Sequence, residues 1–341
     1  MSLLVIRTSS MGDVIMTLPL LRSFASAYPG DELVFVTKKP FDRFLTGIPG
    51  VKVFLSDHHG RHKGFFGLLR VWKELRAQYH ITAVADLHDV IRSKIVRLLF
   101  WLGGCHVAAL DKERLRRHRL VRGRLTGSIT HTVERYRNVF ARAGYPLELV
   151  PGPWMVPLPE GAAVAAARTE GLKRPFIGVA PLARHRLKTW PPEKMEAMLR
   201  LLTARRECTI FLFGSPDEAT AVDEIAARVP GAVSMAGKIS LDGEIAAIAQ
   251  LDLMVAMDSS NMHLAAMLGI DTISIWGATH PRAGFSAWGM PPENQVQIPD
   301  TELTCRPCTI YGKGTCRRGD LACLEWLTPE MVLQKVLNKL K

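Results

Sequence analysis

No run of apolar residues in this sequence approaches the roughly 20 that a membrane-spanning helix requires. The longest candidate, "IVRLLFWLGG", is too short and is interrupted by Arg97. The N-terminus also lacks the continuous apolar core of a secretory signal peptide, because Arg7 and Asp13 interrupt it. These absences predict a cytoplasmic protein, in which disulfide bonds are rare.

Aromatic residues and the familiar phosphate-binding patterns are scarce or missing as well. Phe, Trp and Tyr make up 7% of the 341 residues, and no nucleic-acid-binding motif is present, which argues against a protein that binds DNA or RNA. Neither GxxxxGK followed by Ser or Thr nor GxGxxG occurs, so no P-loop or dinucleotide fingerprint is indicated. No repeat of about 20–50 residues is found, which excludes a solenoid.

Acidic residues are outnumbered: 32 Asp and Glu stand against 44 Lys and Arg, for a formal net charge of +12. Such an excess indicates an anionic partner, either nucleic acid, a phosphorylated ligand or an anionic membrane surface. The segment Lys112–Arg124 carries seven of the basic residues and one Glu, as a solvated helix face or loop would. The stretch "RHKGFFGLLR" combines positive charge with Phe65 and Phe66, a mixture typical of membrane-surface segments, although both rings suit a core equally.

Strand-like and helix-like segments alternate through both halves of the chain. Buried strands are predicted at "LLVI", "ELVFVT", "VKVFLS" and "ITAVADL", and again at "FIGVAP", "CTIFLFG", "LDLMVAM" and "DTISIWG". Strands separated by helices favour parallel sheets with right-handed crossovers. The proline-rich stretch "GYPLELVPGPWMVPLPEG" predicts a linker. We therefore expect two doubly wound α/β domains, residues 1–158 and 159–327, and a C-terminal helix at 328–341 for which packing back on the N-terminal domain is one arrangement.

The loop after the first predicted strand, "RTSSMGD", concentrates polar residues where a helix should begin. Ser9, Ser10, Gly12 and Asp13 precede an amphipathic stretch that starts at Val14. A loop that enters a helix offers free backbone N–H groups and the positive end of the helix dipole, and glycine permits close approach of a ligand. Helix capping by the serines or by Asp13 accounts for the same residues.

A similar arrangement recurs in the second half, in "VAMDSSNMHLAAMLG". The strand ends at Asp258, and Ser259, Ser260 and Asn261 lead into a helix with His263 in its first turn. Small polar residues at a helix N-terminus form an anion site, and the carboxyl end of a strand is the expected position of a ligand crevice. A capped helix with a half-buried His263 is the structural alternative.

Two further polar residues follow predicted strands of the second half. Lys188, in "APLARHRLKTWP", can neutralise a phosphate as a point charge, or it can be a solvated loop lysine. Glu218, in "FGSPDE", can hold a ribose hydroxyl pair, or it can complement a helix dipole.

Four of the six cysteines lie close together near the C-terminus, with the spacing C-x2-C-x7-C-x6-C. A structural zinc site usually shows two closely spaced cysteine pairs, and only one is present here. The spacing leaves open whether zinc or reduced thiols occupy this segment, which comprises Cys305, Cys308, Cys316 and Cys323.

Taken together, these segments resemble glycosyltransferase family 9, the ADP-heptose:lipopolysaccharide heptosyltransferases. The resemblance is carried by "RTSSMGDVIMTLP", by "DSSNMHLAAMLG" with "ISIWGATHP", and by "DLHDVIRSK", "HTVER", "LKTWP" and "FGSPDE", which occur in the family's order over nearly the whole chain. It implies the GT-B architecture, in which two Rossmann-like domains face each other across a cleft. The N-terminal domain would bind the acceptor and the C-terminal domain the nucleotide-sugar.

The resemblance also implies an inverting reaction that requires no metal or other cofactor, with Asp13 as general base. Lys188 and the amides of Ser259–Asn261 would hold the donor diphosphate, and Glu218 would hold the ribose. Asp258 would shape the loop, with His263 touching the diphosphate or the donor sugar, and His131 would support the acceptor side. On the acceptor or sugar side the resemblance places Ser9, Ser10, Gly12, Asp86, His88 and Arg135.

The implied partners are ADP-heptose, an anionic glycolipid acceptor and the inner face of the cytoplasmic membrane, which the enzyme would contact peripherally; nucleic acid is not among them. One alternative keeps the GT-B fold but uses another nucleotide-sugar for a different cell-envelope glycan, because Ser260 stands where the family commonly has glycine. The other alternative is a basic, zinc-containing nucleic-acid-binding protein.

Overall fold

The computed structural model describes residues 2–340, which divide into two compact units, each built on one parallel sheet. The first unit holds the chain up to Lys112 together with His131–Met155, and the second holds Glu113–Thr130 and the chain from Val156 onward. The predicted boundary at residue 158 therefore lies close to the second crossing, whereas the transfer of Glu113–Thr130 to the second unit was not predicted. No helix among the described residues is both long and apolar enough to cross a membrane.

The first half of the chain follows the expected alternation. Its elements are β1 (Ser2–Ile6), α1 (Met11–Ile15), α2 (Leu18–Ala27), β2 (Glu32–Thr37), β3 (Val51–Leu55), α3 (Gly64–Gln78), β4 (Ile81–Asp86), α4 (Ile91–Leu102), β5 (His106–Ala109), α5 (Arg114–Val121) and α6 (Thr132–Arg142). All five strands are parallel, in the order β3-β2-β1-β4-β5. Fully buried β1 lies at the centre of the sheet, because its five residues are apolar apart from the first.

The helix predicted to start at Val14 is in fact two helices, α1 and α2. Thr17 Oγ1 donates to the carbonyl of Val14 at 2.7 Å, and Pro19, near the start of α2, has no N–H to contribute to a continuous helix. Because α1 begins earlier than predicted, Asp13 lies in its first turn. There the carboxylate forms a capping box with Ser10.

The segment that carries the dense basic charge is fixed to the second unit by hydrogen bonds. The N–H of Ile129 donates to the carbonyl of Arg282 at 2.8 Å, and the guanidinium of Arg282 donates back to the carbonyl of Leu125 at 2.8 Å. Leu120 and Ile129 bury their side chains with Ala283 in a small apolar cluster. The basic residues of α5 therefore belong to an ordered, two-turn helix and not to a free loop.

The second unit continues the alternation. Its remaining elements are α7 (Pro159–Thr169), β6 (Phe176–Ala180), α8 (Pro192–Arg205), β7 (Thr209–Leu212), α9 (Ala219–Arg228), β8 (Ala232–Ser234), α10 (Leu241–Ile248), β9 (Leu253–Met257), α11 (Ser260–Met267), β10 (Thr272–Ile275), β11 (Gln295–Val296), α12 (Ala322–Glu325) and α13 (Pro329–Lys339). The sheet is parallel, in the order β11-β10-β9-β6-β7-β8. Its central strands β6 and β9 are completely buried, as their apolar runs require.

The C-terminal helix α13 packs within the second unit. Its buried face consists of Val332, Leu333 and Val336, which join the same apolar core as Met195 and Leu199 of α8. The sequence left open that this helix packs back on the N-terminal domain. Its apolar face is instead accounted for by the core of the second unit.

Candidate active site

The first sheet reverses its strand order between β1 and β4, and the two loops that leave these strands meet at its carboxyl edge. Such a switch point is where open α/β sheets bind ligands. The loop after β1 leads into α1, which carries Asp13 in its first turn, and the loop after β4 carries His88. Thr8 Oγ1 lies 3.1 Å from His88 Nδ1, and Ser9 Oγ lies 3.2 Å from His88 Nε2, so the loops are joined through this imidazole. We call this cluster the Asp13 site.

Asp13 is held by a cation and by the start of its own helix. Arg7 Nη2 lies 2.5 Å from Asp13 Oδ2, and Ser10 donates to the same oxygen from its hydroxyl at 2.6 Å and from its backbone N–H at 3.1 Å. Burial alone would raise the pKa of Asp13, but the charge of Arg7 and the hydrogen bonds from Ser10 outweigh it and lower the pKa to about 2. The carboxyl group is therefore ionised throughout the physiological range.

Arg7 is a site residue that sequence reasoning missed. Its guanidinium donates to the carbonyl of Leu87 at 2.6 Å as well as pairing with Asp13, and it lies 5.8 Å from the ring of Tyr136 on α6. Arg7 thus links β1 to the loop after β4. The available signal was a charged residue directly after an apolar central strand, where a buried cation needs a partner.

Asp86 and His88 both have buried side chains, but Asp86 organises the loop whereas His88 is a neutral hydrogen-bonding group. Asp86 Oδ1 accepts the N–H groups of His88 at 3.0 Å and Asp89 at 2.8 Å, and Oδ2 pairs with Arg97 at 2.9 Å. These contacts shape the loop, while burial raises the pKa of Asp86. Burial and the nearby charge of Arg7 lower the pKa of His88 to about 3, so its imidazole is neutral at neutral pH. A neutral imidazole acts here as a hydrogen-bonding group.

Two other predicted residues lie on α6. Arg135 is buried and donates to Thr132 Oγ1 at 2.7 Å, and His131 caps the helix by accepting the N–H of Val133 at 3.2 Å. Both side chains therefore have a structural task in the first unit. Their expected contact with acceptor or sugar stays a prediction.

The second sheet has its own switch point, between β6 and β9, and the predicted residues that follow these strands are in contact. Lys188 Nζ lies 2.9 Å from Asp258 Oδ2, and Thr279 Oγ1 donates to the same oxygen at 2.9 Å. An ammonium group has three donors, so the pairing orients Lys188 without using all of them. This cluster, together with the start of α11, is called the Lys188 site below.

The start of α11 presents a hydroxyl that no protein group satisfies. Ser259 Oγ is buried and has no hydrogen-bond partner among residues 2–340. Buried polar atoms are normally paired, so this hydroxyl at the N-terminus of an eight-residue helix is available to donate to an acceptor oxygen of a ligand. Ser260 and His263 lie in the first turn of the same helix, where Ser260 is partly exposed and His263 is buried.

Sequence reasoning also missed Glu244 on α10, a residue that bonds to Asn261 and feels the charge of Glu218. Asn261 Nδ2 donates to Glu244 Oε1 at 3.0 Å, and the charge of Glu218 acts on Glu244 in addition to burial, raising the pKa of Glu244 to about 7. Glu218 itself accepts the N–H and hydroxyl of Ser215 at 2.8 and 2.9 Å. In the sequence Glu244 looked like an ordinary first-turn acid of an amphipathic helix.

A glycine of the cysteine-rich segment closes over the stem of Lys188. A Cβ added to Gly312 would lie 2.5 Å from Cγ and Cδ of Lys188, and Gly312 has φ +78°. Only glycine combines this backbone conformation with so close an approach. The segment after β11 is therefore part of the wall of the Lys188 site.

The four clustered cysteines are free thiols, and within residues 2–340 no group of three or more His, Cys, Asp or Glu is arranged to hold a metal ion. Cys323 lies in the apolar core, where burial raises the pKa of its thiol to about 12. The geometry thus gives no support to the zinc site that the spacing left open.

Comparison with known proteins finds the same family that the sequence motifs resemble. The profile of glycosyltransferase family 9 (heptosyltransferase) matches residues 68–313. Lipopolysaccharide heptosyltransferase 1 of Pseudomonas aeruginosa is 28% identical over 331 residues, an alignment that covers 93% of this chain and 87% of the relative.

Solved structures confirm the predicted fold class, GT-B with two Rossmann-like domains. A glycosyl transferase family 9 protein from Veillonella parvula superimposes with a TM-score of 0.78 at 18% identity, over 99% of this chain and 97% of that chain. The Escherichia coli heptosyltransferase WaaC, solved with ADP, gives a TM-score of 0.67 at 23% identity, over 99% of this chain and 100% of that chain.

Proposed function

Because the chain belongs to glycosyltransferase family 9, we propose that this enzyme transfers a heptose from ADP-heptose to a lipopolysaccharide core acceptor. The relative from Pseudomonas aeruginosa is named a lipopolysaccharide heptosyltransferase, and the WaaC structure contains ADP. The observation that carries the proposal is the ionised Asp13, fixed by Arg7 at the carboxyl edge of the first sheet. The Lys188 site supplies cationic and hydroxyl groups at the corresponding edge of the second sheet.

In the proposed reaction, Asp13 removes the proton from the acceptor hydroxyl. The hydroxyl oxygen attacks the anomeric carbon of the donor on the face opposite the diphosphate, the bond from that carbon to the phosphate oxygen breaks, and ADP leaves, so the configuration inverts. The contacts of Arg7 and Ser10 fall on Oδ2, and the hydroxyl is therefore expected to approach Oδ1. A pKa of about 2 makes Asp13 a weak base, which suits a late proton transfer, once bonding to the electron-poor carbon has made the hydroxyl acidic.

The Lys188 site would stabilise the charge that develops on the leaving diphosphate. Lys188 supplies a fixed positive charge, Ser259 supplies a hydroxyl with no hydrogen-bond partner in the described part of the chain, and the first turn of α11 supplies backbone N–H groups. We propose that these groups take the place of a divalent metal. Glu218 would hold the ribose, and His263 would contact the diphosphate or donor sugar.

The first unit would bind the acceptor. Ser9 and Ser10, the neutral imidazole of His88 and the loop shaped by Asp86 surround the carboxylate that must meet the acceptor hydroxyl. Gly12 and Arg135 are proposed to line the same side. An anionic glycolipid acceptor accords with the net charge of +12, and the reaction would take place at the inner face of the cytoplasmic membrane.

The donor can be identified by binding measurements without metal. Calorimetry and thermal shift against ADP, UDP, GDP and CMP should show a preference for ADP, because ligand binding raises the melting temperature by mass action. Lys188→Ala should weaken ADP binding about 10- to 100-fold, through the loss of one charge-assisted contact. Lys173→Ala, which removes an exposed lysine paired with Glu207, is the matched control. A preference for another nucleotide would leave the fold assignment unchanged but would replace ADP-heptose as the proposed donor.

The transfer itself requires a second assay. ADP-heptose and a purified lipopolysaccharide core acceptor should yield a product in which the anomeric configuration is inverted, with the same rate in EDTA as without it. A retained configuration, or loss of activity in EDTA that a divalent metal restores, would contradict the proposed mechanism. A turnover that requires another nucleotide-sugar would support the alternative of a different cell-envelope glycan.

A further inference from the structure

Helix α4 has two apolar stripes, and only one of them is buried. Val96 and Phe100 face the sheet as part of the core of the first unit. The opposite side exposes a second apolar stripe at helical spacing, with side chains that are 51–78% accessible. This stripe consists of Ile91, Leu98, Trp101 and Leu102. A soluble helix ordinarily carries polar residues on that side.

The neighbouring helix α3 extends this surface. Phe66 is 82% accessible and Phe65 is 56% accessible at the start of α3, and the centroids of their two rings lie 5.9 Å apart. The two helices pack side by side on the same face of the sheet. A small cavity of about 20 Å³ is lined by Leu68 of α3 and Val96 of α4 together with Thr8 and His88 of the Asp13 site. The exposed apolar side chains of α3 and α4 therefore belong to one layer, which we call the α3–α4 surface.

The helices of the α3–α4 surface hold more basic than acidic residues, although Lys94 and Arg97 of α4 pair with Asp89 and Asp86 just before the helix. Helix α4 carries three basic residues and no acidic residue, and α3 carries three basic residues and the single acid Glu74. Two copies of this surface placed face to face would bring like charges together at close range, which opposes self-association. Anionic phospholipid headgroups offer the complementary charge, and the exposed Trp and Phe side chains suit the interfacial region of a bilayer.

We propose that the α3–α4 surface docks the protein on an anionic lipid bilayer, with Trp101, Leu102 and Phe66 inserted at the interface. This inference extends the proposed function, because α4 begins three residues after His88 and a docked α4 lies directly beside the Asp13 site. A glycolipid acceptor held in the same membrane would then present its sugars at the height of the catalytic carboxylate. The surface differs from Lys112–Arg124, which is basic but exposes only Leu115 among its large apolar side chains.

Vesicle binding of the full-length protein tests the inference. Wild type should sediment with vesicles that contain phosphatidylglycerol and much less with pure phosphatidylcholine vesicles, and added salt should weaken the binding. The double variant Trp101→Ser, Leu102→Ser should bind the anionic vesicles at least about tenfold more weakly. Trp326→Ser is the matched control, since Trp326 is an exposed tryptophan of the second unit, and it should bind like wild type.

The outcomes distinguish membrane docking from self-association through the same surface, and they distinguish a failure of docking from a failure of the proposed function. Unchanged vesicle binding by the double variant, or no binding of wild type to any vesicle, would overturn the docking surface. A wild-type dimer in sedimentation velocity that the double variant dissociates would assign the surface to a second copy instead. With a delipidated core oligosaccharide as acceptor, the double variant should retain wild-type turnover, so a failure of docking would leave the transfer reaction standing.

Discussion

Glu244 is expected to make the protein less stable as the pH rises towards neutrality. Burial raises the pKa of its carboxyl group from 4.5 to about 7, with a further contribution from the charge of Glu218, while the hydrogen bond from Asn261 opposes the increase. A carboxyl group with a higher pKa in the folded state binds its proton more tightly there. The stability it contributes is therefore fully present below about pH 4.5 and is lost as the pH rises through 7.

The size of the effect follows from the two pKa values. The two values, 7 and 4.5, differ by about 2.5, and a difference of one corresponds to about 1.4 kcal/mol, which gives about 3 to 4 kcal/mol in the free energy of unfolding. Glu244→Gln keeps a carbonyl oxygen to accept from Asn261 Nδ2 and has no titrating proton. The variant should therefore lack this part of the pH dependence.

Urea denaturation of wild type and Glu244→Gln at about pH 5 and about pH 8 measures the difference. The free energy of unfolding of the variant, relative to wild type, should be higher at the upper pH by up to about 3 kcal/mol. Glu302→Gln, at an exposed position, should leave the pH dependence as it is in wild type. If Glu244→Gln and wild type respond identically to pH, the argument from burial is refuted.

Two further substitutions test one contact in each site. Arg7→Gln removes the charge that counteracts burial at Asp13, so the pKa of Asp13 should rise. On lowering the pH, kcat/KM of the variant should therefore begin to fall at a higher pH than that of wild type; identical profiles would show that Arg7 does not set this pKa. Gly312→Ala should weaken ADP binding about 3- to 10-fold because its Cβ collides with the stem of Lys188. Gly314 also has a positive φ, +98°, but no atom lies within 4 Å of a Cβ added there, so equal losses in Gly312→Ala and Gly314→Ala would attribute the effect to backbone strain.

Much of the fold could be predicted because it depends on local pattern. Strands at the centre of a parallel sheet are buried on both faces and must therefore be apolar throughout. Apolar runs such as "LLVI" and "LDLMVAM" are recognisable in the sequence for this reason. Short edge strands were not predicted, since β8 and β11 have three and two residues and little apolar pattern of their own. The break between α1 and α2 was missed because it depends on the Thr17 side chain and on Pro19 together.

The sites were predictable only where a residue type and its position after a strand sufficed. Asp13 and His88 were predicted in this way, as were Lys188 and Asp258. The structure brings each pair to one switch point, and their roles there stay predictions. Glu244 could not be identified, because its raised pKa arises from burial and from neighbours distant in sequence. The basic segment Lys112–Arg124 shows the same limit. Its charge density indicated a partner, whereas its attachment to the second unit depends on residues distant in sequence, among them Arg282 and Ala283.

The central claim is that Asp13 acts as the general base, and the turnover of Asp13→Asn tests it most directly. The amide retains the size of the side chain but cannot accept the acceptor proton, so kcat should fall by about 10²- to 10⁴-fold. Binding of ADP should remain within about twofold of wild type, because Lys188 and Ser259 are unchanged. Turnover within about tenfold of wild type, with ADP binding intact, would contradict the account and remove Asp13 from the chemical step.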